Sequence, residues 1–199
     1  MNDDRARAAP GDWPIVALVA SAGGIDALSH VLSALPSDLP ASIIVLLHVS
    51  PDRDSMLPDI LSHVSALGVE AARDGEALAP GRVIVAPAGR HLLITTDLRT
   101  ALIASGAFPP SRPSADLLLT TLATAAGPRA IAVVLSGKGH DGATGATAIH
   151  RFGGTVLATD AASSASFAMP AATIARDHAT DHIVALVTTP SVKHNALPT

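Results

Sequence analysis

Ile15-Val16-Ala17-Leu18-Val19, followed directly by Ala20-Ser21-Ala22-Gly23-Gly24, is the stretch that decides the fold. Its first five residues are all apolar and do not alternate with polar ones, which is typical of a strand covered on both faces. The small residues after them predict a tight turn into a helix. An apolar stripe with helical spacing follows and ends before Pro36: Ile25, Leu28, Val31, Leu32 and Leu35. A buried strand that passes directly into an amphipathic helix begins a βαβ unit.

The same pattern recurs along the chain. Apolar runs bounded by Gly, Pro or Asp predict strands at 13–19, 43–49, 82–86, 131–135, 155–158 and 183–186. Segments with helical spacing lie between them, and one carries a second stripe of five residues: Met56, Leu57, Ile60, Leu61 and Val64. We therefore predict an α/β fold, a doubly wound, mostly parallel sheet with helices on both faces. Residues 91–95 and 99–104 predict a small antiparallel hairpin added to that sheet.

Composition sets the class of protein. The 199 residues suit one domain, which we place at 13–189, with flexible ends at 1–12 and 190–199. A net charge of −4 and an aromatic content of 2 % argue against a nucleic-acid partner. The absence of cysteine excludes disulfides, thiolate metal sites and cysteine nucleophiles. No signal peptide and no apolar run of about 20 residues is present, so we predict a cytoplasmic protein without membrane insertion.

Three polar side chains follow predicted strands, at the edge where the carboxyl ends of parallel strands converge. Ser21, His48 and Asp141 are the parts of a nucleophilic triad. Each has a plainer interpretation: a close-packing turn for Ser21, a structural or surface histidine for His48, and the N-cap of a helix at 142–152 for Asp141. A phosphate-binding loop at 21–24 is less favoured, because neither the P-loop ending nor the dinucleotide glycine pattern is present.

Other residues surround this predicted site. The turn at 137–140 offers backbone amides for an oxyanion hole. A metal site built from His48, His91, His140 and Asp141 is an alternative, but no short-spaced ligand motif appears, and we expect no metal. His91 is expected to support a loop. Ser114 is a predicted N-cap with Asp116 in the first turn of its helix, and Arg112 and Asp116 either line the substrate cleft or form a local ion pair.

Six ordered segments extend beyond what these patterns explain: 20–28, 47–48, 86–92, 112–116, 133–143 and 168–170. The longest contains Ser136-Gly137-Lys138-Gly139-His140-Asp141-Gly142. Together they resemble the catalytic domain of the chemotaxis protein-glutamate methylesterase (CheB) family. The resemblance implies a doubly wound α/β fold, hydrolysis of γ-glutamyl methyl esters on the cytoplasmic helices of methylated chemoreceptors with release of methanol, and deamidation of glutamines there. It implies no cofactor.

The resemblance also implies roles for residues. Ser21 matches the nucleophile, His48 the histidine and Asp141 the aspartate of the triad. Lys138 stands where the family usually has methionine, and the backbone amide at that position helps to hold the oxyanion. The remaining expected oxyanion or substrate-binding residues are Ala22, Gly139, Arg112 and Met169.

Further departures from the family pattern concern Val19, Ala168 and the receiver domain. Val19 and Ala168 stand where the family usually has glycine, and a Cβ atom hinders a position that needs positive φ or close approach of substrate. No receiver domain is expected, because about a dozen residues precede the first strand. The start Met1-Asn2-Asp3-Asp4 favours a free-standing member of the family over a piece of a longer chain. We therefore expect that phosphorylation of this chain does not control its activity. The alternative function is a catalytically weak or inactive receptor-binding signalling module of the same fold, in which Val19 and Lys138 have cost the efficient chemistry.

Overall fold

The structure is a computed structural model that describes residues 12–49, 56–104 and 112–186. The predicted flexible ends lie outside these residues, apart from Asp12. The strands are β1 (Ile15–Ala20), β2 (Ser42–Leu47), β3 (Gly68–Ala71), β4 (Arg82–Val85), β5 (Arg90–Ile94), β6 (Thr100–Ala104), β7 (Ala130–Val134), β8 (Thr155–Thr159) and β9 (His182–Val184). The helices are α1 (Gly24–Ser33), α2 (Leu57–Ser62), α3 (Ala115–Ala126), α4 (Ala143–Arg151) and α5 (Ala168–Ala175), and a 3₁₀ turn lies at Gly127–Arg129.

Seven strands form one parallel sheet in the order β3-β4-β2-β1-β7-β8-β9. The chain winds outward from β1 on one side, then returns to β7 on the other side of β1 and winds outward again. This reversal is the topological switch point of a doubly wound sheet, where the loops after neighbouring strands open a crevice. The predicted fold class is confirmed.

Two apolar clusters cover the two faces of the sheet. Alternate residues of β1 point to opposite sides, so Ile15, Ala17 and Val19 pack with α3, α4 and α5, whereas Leu18 and Ala20 pack with α1 and α2. This double burial explains why the strand sequences are continuously apolar. In the described part of the chain, no helix is long and apolar enough to cross a membrane.

Several sequence predictions need correction. The hairpin of β5 and β6 is a separate two-stranded sheet that packs on α3, not an extension of the main sheet. Of the second predicted stripe, only Leu57 and Leu61 are buried, and Met56, Ile60 and Val64 are exposed because α2 contacts the core through one narrow edge. The patterns did not predict β3, which is mostly exposed, or α5, whose first turn contains a proline.

Candidate active site

Ser21 lies in the three-residue turn between β1 and α1. Gly23 in that turn has a φ of 75°, a conformation that favours glycine. The Ser21 backbone N–H donates to the carbonyl of Ser136 at 3.0 Å, and this bond extends the β1–β7 ladder by one step past the strands. The hydroxyl-bearing residue is therefore held by the sheet itself, half-buried at its carboxyl edge.

His48 follows β2 on the other side of Ser21. Ala20 and Leu47 are register partners in the β1–β2 ladder, and the His48 N–H donates to the Ala20 carbonyl at 3.1 Å. Ser21 and His48 consequently take the next register positions on neighbouring strands, whose backbones lie about 4.8 Å apart. Among the described residues, no hydrogen bond joins Ser21 Oγ to the His48 ring; such bonds often form only when substrate is bound.

Asp141 is the hydrogen-bond partner of His48. His48 Nε2–H donates to Asp141 Oδ2 at 2.8 Å, and the two side chains are 14 % and 11 % exposed. Oδ2 also accepts from the Ala115 amide at 2.6 Å, and Oδ1 accepts from Ser114 Oγ at 3.0 Å and from the Asp116 amide at 3.1 Å. Four donors thus fill the acceptor sites of this carboxylate.

The environment of Asp141 favours its ionised form. Burial opposes ionisation, but the hydrogen bonds from His48 and from the amides of Ala115 and Asp116 outweigh it and hold the pKa of Asp141 below its usual value. The positive end of the 12-residue helix α3 stabilises the same charge. Asp141 is therefore an anion that orients His48, with Nδ1 as the ring nitrogen left to accept a proton.

Asp116 forms the reverse contact between the two helices. Its Oδ1 accepts from the amides of Gly142 at 2.9 Å and Gly145 at 2.8 Å, at the start of α4. Burial raises the pKa of Asp116 above its usual value, and the nearby Asp141 charge adds to the shift, whereas the two amides oppose it. Asp141 therefore caps α3, not the helix that follows it, and Asp116 caps α4. The predicted N-cap role of Asp141 on its own helix is wrong.

The segment after β7 lies directly over Ser21. Ser136 is buried; its Oγ donates to the Ala22 carbonyl at 2.8 Å and accepts from the Ser166 amide at 2.9 Å. A Cβ atom on Gly137 would lie 2.6 Å from Met169 Sδ and 3.0 Å from Ser21 Cβ, so only glycine fits there without displacement. This close contact brings the loop against the serine.

Among the remaining predicted binding residues, three offer backbone amides left unused in the described part of the chain, and one, Met169, is a buried side chain. The amides of Ala22, Lys138 and Gly139 donate to no acceptor among the described residues, whereas the Gly137 amide is used by Ser166 at 2.8 Å. Lys138 and Gly139 are exposed at the mouth of the crevice. Met169 is fully buried beneath Gly137, so it supports the loop from below.

Arg112 lies beside the exit of β2, where its carbonyl accepts from the Val49 amide at 3.4 Å. His91 is buried and accepts a hydrogen bond from the Ser114 amide, so it supports the segment before α3, as expected. Nowhere in the described ranges do three or more His, Asp or Glu side chains cluster closely enough to hold a metal ion. The alternative metal site is not assembled.

Neither Val19 nor Ala168 has the positive φ that would make a Cβ atom unfavourable. Val19 is a buried residue of β1, and Ala168 is the exposed first residue of α5. The departure from glycine at these two positions therefore brings no backbone strain.

The model of the CheB methylesterase family matches residues 16–191. The chain belongs to the CheB methylesterase family. It is 42 % identical over 161 residues to protein-glutamate methylesterase FrzG of Myxococcus xanthus, a match that covers 81 % of this chain and 48 % of FrzG. It is 40 % identical over 172 residues to a protein-glutamate methylesterase/protein-glutamine glutaminase of Moorella thermoacetica, covering 83 % of this chain and 41 % of that protein.

The structural comparison agrees. The catalytic domain of the Thermotoga maritima CheB methylesterase superposes with a TM-score of 0.82 at 33 % identity, covering 87 % of this chain and 93 % of that one. The chain spans about half the length of the curated relatives it matches. The family membership and the fold expected from the resemblance are confirmed.

Sequence reasoning missed the supporting residues of this CheB-type site. Ser114 was predicted only as an N-cap, Asp116 as a residue of the substrate cleft or of a local ion pair with Arg112, and Ser136 was assigned no role. A signal existed in the two short Asp-containing turns, at 114–116 and 141–142, which each begin a helix. Their reciprocal contact depends on how α3 and α4 pack, which spacing along the chain does not reveal.

Proposed function

We propose that this chain is a serine-dependent protein-glutamate methylesterase, which hydrolyses glutamate methyl esters on the helices of a methylated chemoreceptor and releases methanol. The observation that carries the proposal is the placement of Ser21 and His48 side by side, each directly after the register partners Ala20 and Leu47, together with the His48–Asp141 hydrogen bond at 2.8 Å. The relatives are named as protein-glutamate methylesterases, which supports the choice of ester. The same chemistry on a glutamine side chain releases ammonia, so we include deamidation.

In the first step, Ser21 Oγ attacks the ester carbonyl while His48 Nδ1 takes the hydroxyl proton. The imidazolium that forms keeps Nε2–H on Asp141, whose negative charge stabilises it. The tetrahedral intermediate then expels methanol, which leaves with the proton from Nδ1. Water activated by the same nitrogen hydrolyses the acyl-enzyme and regenerates Ser21.

The developing oxyanion needs hydrogen-bond donors that are not already used. The unused amides of Ala22, Lys138 and Gly139 are suited to this role, and the Ala22 amide precedes the positive end of α1. Each such donor is worth about 10²–10³ in rate. Because the donor is a backbone group, the lysine side chain leaves it intact, and its positive charge favours an acidic receptor surface. Arg112 adds a second cation near the exit of β2.

The proposal places the protein in the cytoplasm with a receptor as partner and without a nucleic-acid partner. It needs no cofactor, because the serine, the histidine and the aspartate supply all the proton transfers. The alternative, a receptor-binding module with weak or no catalysis, keeps the same partner and differs in turnover alone.

The test is methanol release from fully methylated chemoreceptor membranes. Purified wild-type protein is compared with Ser21→Ala, and with Ser33→Ala as the matched control, since Ser33 is an exposed serine of α1. We expect release by the wild type and by Ser33→Ala, and a loss of about 10⁶ in turnover for Ser21→Ala. Binding of membranes without release by any of the three proteins would favour the binding module.

A further inference from the structure

His91 is a buried histidine that the mechanism above does not use. It is 2 % exposed and belongs to β5, whose hairpin packs against α3. Its Nδ1 lies 3.0 Å from the backbone nitrogen of Ser114. An amide N–H only donates, so Nδ1 accepts and carries no proton. The neutral ring therefore carries its proton on Nε2.

The second ring nitrogen of His91, Nε2, gives no reason for a histidine at this position. His91 Nε2 is buried and has no hydrogen-bond partner among the described residues. A buried donor without a partner is unfavourable, and an apolar side chain would fill the same space without it. The hydrogen bond from Ser114 to Nδ1 is what distinguishes histidine from leucine at this position.

Ser114 connects His91 to the triad. Its amide is held by His91, and its Oγ donates to Asp141 Oδ1 at 3.0 Å. The other carboxylate oxygen of Asp141 accepts from His48 Nε2–H. Four residues are thus linked in series, from His91 in the hairpin, through the backbone amide and the hydroxyl of Ser114 directly before α3, to Asp141 and the His48 ring.

We propose that His91 is a positioning residue for the triad: it fixes Ser114, and through the Ser114 hydroxyl it holds the Asp141 carboxylate in line with His48. This inference rests on the proposed function, because its effect is expressed through the orientation of the His48 ring. The amides of Ala115 and Asp116 also hold Asp141, so loss of His91 misplaces the carboxylate without releasing it. A misplacement on the order of 1 Å costs about 10²-fold in rate.

Two substitutions at position 91 separate the hydrogen bond from the packing. His91→Leu keeps an apolar side chain of similar bulk and removes the acceptor, and His91→Asn keeps an acceptor oxygen near the place of Nδ1. We expect kcat for methanol release to fall about 10- to 100-fold in His91→Leu with KM unchanged, and to recover most of the way in His91→Asn. The matched control is His182→Leu at an exposed position of β9, for which we expect wild-type kcat.

A double-mutant cycle tests whether His91 acts through Ser114. If it does, Ser114→Ala lowers kcat by a similar factor, and the double variant His91→Leu with Ser114→Ala loses little more than the worse single variant. Multiplicative effects on kcat would overturn the proposal, and so would a His91→Asn variant no better than His91→Leu. Unfolding curves of all variants establish that each is folded at the assay temperature.

Imidazole nitrogen NMR provides a test that does not need activity, first on the wild-type protein. We expect His91 to show an unprotonated Nδ1 and a protonated Nε2, and His48 to show an Nε2–H proton shifted by its bond to Asp141. A proton on His91 Nδ1 would overturn the proposal. If the wild type released no methanol, the proposed function would fail, and the response of the His48 signal to His91→Leu would still decide whether His91 positions Asp141.

Discussion

At the scale of single residues, the carboxylate of Asp141 orients the other groups of the candidate site. Its two oxygens accept from four donors, one of which is the His48 ring. A carboxylate with every acceptor position filled has one orientation, and it passes that orientation to the imidazole. The same hydrogen bonds hold the pKa of Asp141 below its usual value, which links the proposed catalysis to stability at acidic pH.

Replacement of Asp141 by asparagine tests this link. The pKa of Asp141 is lower in the folded chain than in the unfolded chain, where it is about 3.9. Its contribution to stability is therefore complete above that value and is lost as the pH falls through the lower, folded pKa. We expect Asp141→Asn to reduce the free energy of unfolding at pH 7 and to remove this part of the acid dependence, with kcat about 10⁴-fold lower. Urea unfolding from pH 3 to pH 7 measures it, and parallel curves for the two proteins would contradict it.

At the scale of elements, α3 and α4 are joined by an exchange of caps. Asp141 precedes α4 and accepts from the first amides of α3, whereas Asp116 belongs to α3 and accepts from the first amides of α4. Each helix therefore fixes the N-terminus of its neighbour, where unpaired amides are otherwise left. The exchange also fixes Asp141, near the end of the loop that follows β7, against the first turn of α3.

Asp116 caps the start of α4, and its replacement tests the exchange of caps. Asp116→Ala leaves the amides of Gly142 and Gly145 without their acceptor, and we expect the free energy of unfolding to fall by about 0.5–2 kcal/mol. Asp26 provides a matched control, because it is an exposed acidic residue in the first turn of α1 with no cap hydrogen bond. Asp26→Ala is expected to cost only about 0.3–1 kcal/mol through the helix dipole. Urea unfolding at neutral pH compares them, and equal losses would contradict the cap exchange.

At the scale of the whole molecule, the sheet separates two apolar cores that differ in their contacts with the candidate site. The core with α3, α4 and α5 contains Met169, which lies beneath Gly137. The other core also reaches β1 and β2, but its helix α2 packs against α1 and the edge strand β3. Damage at α3 should therefore reach the site, and damage at α2 should not.

Leu118 and Leu61 allow a matched test of this division. Both are fully buried leucines, one on α3 and one on α2. We expect either leucine-to-alanine change to lower the free energy of unfolding by about 2–5 kcal/mol. At a temperature where both variants are folded, Leu118→Ala is expected to lower kcat by about 10-fold because α3 carries the amides that hold Asp141, and Leu61→Ala is expected to keep it. Equal kcat values for the two variants would contradict the division.

Much of the fold was predictable because it depends on local composition. Six of the seven strands of the main sheet follow from continuous apolar runs, within one to two residues at most ends. The strand β3 was missed because its residues are mostly exposed and include Gly68 and Glu70. The helix α5 was missed because Pro170 interrupts the usual helical signal, although proline is tolerated in a first turn. In α2, the apolar stripe predicts that Ile60 faces the core, but Ile60 is exposed. The spacing of apolar residues does not specify how much of a helix face the neighbouring elements cover.

The sequence by itself determined six of the seven strands of the main sheet, the double burial of the sheet, and the positions of Ser21, His48 and Asp141 after their strands. These follow from hydrophobic periodicity and turn chemistry, which act over a few residues. Only the tertiary structure decided which helix Asp141 caps, that Met169 lies beneath the loop, and that His91 reaches Ser114. Such contacts join residues that are 23 or more positions apart, and their geometry is set by the packing of whole helices on the sheet.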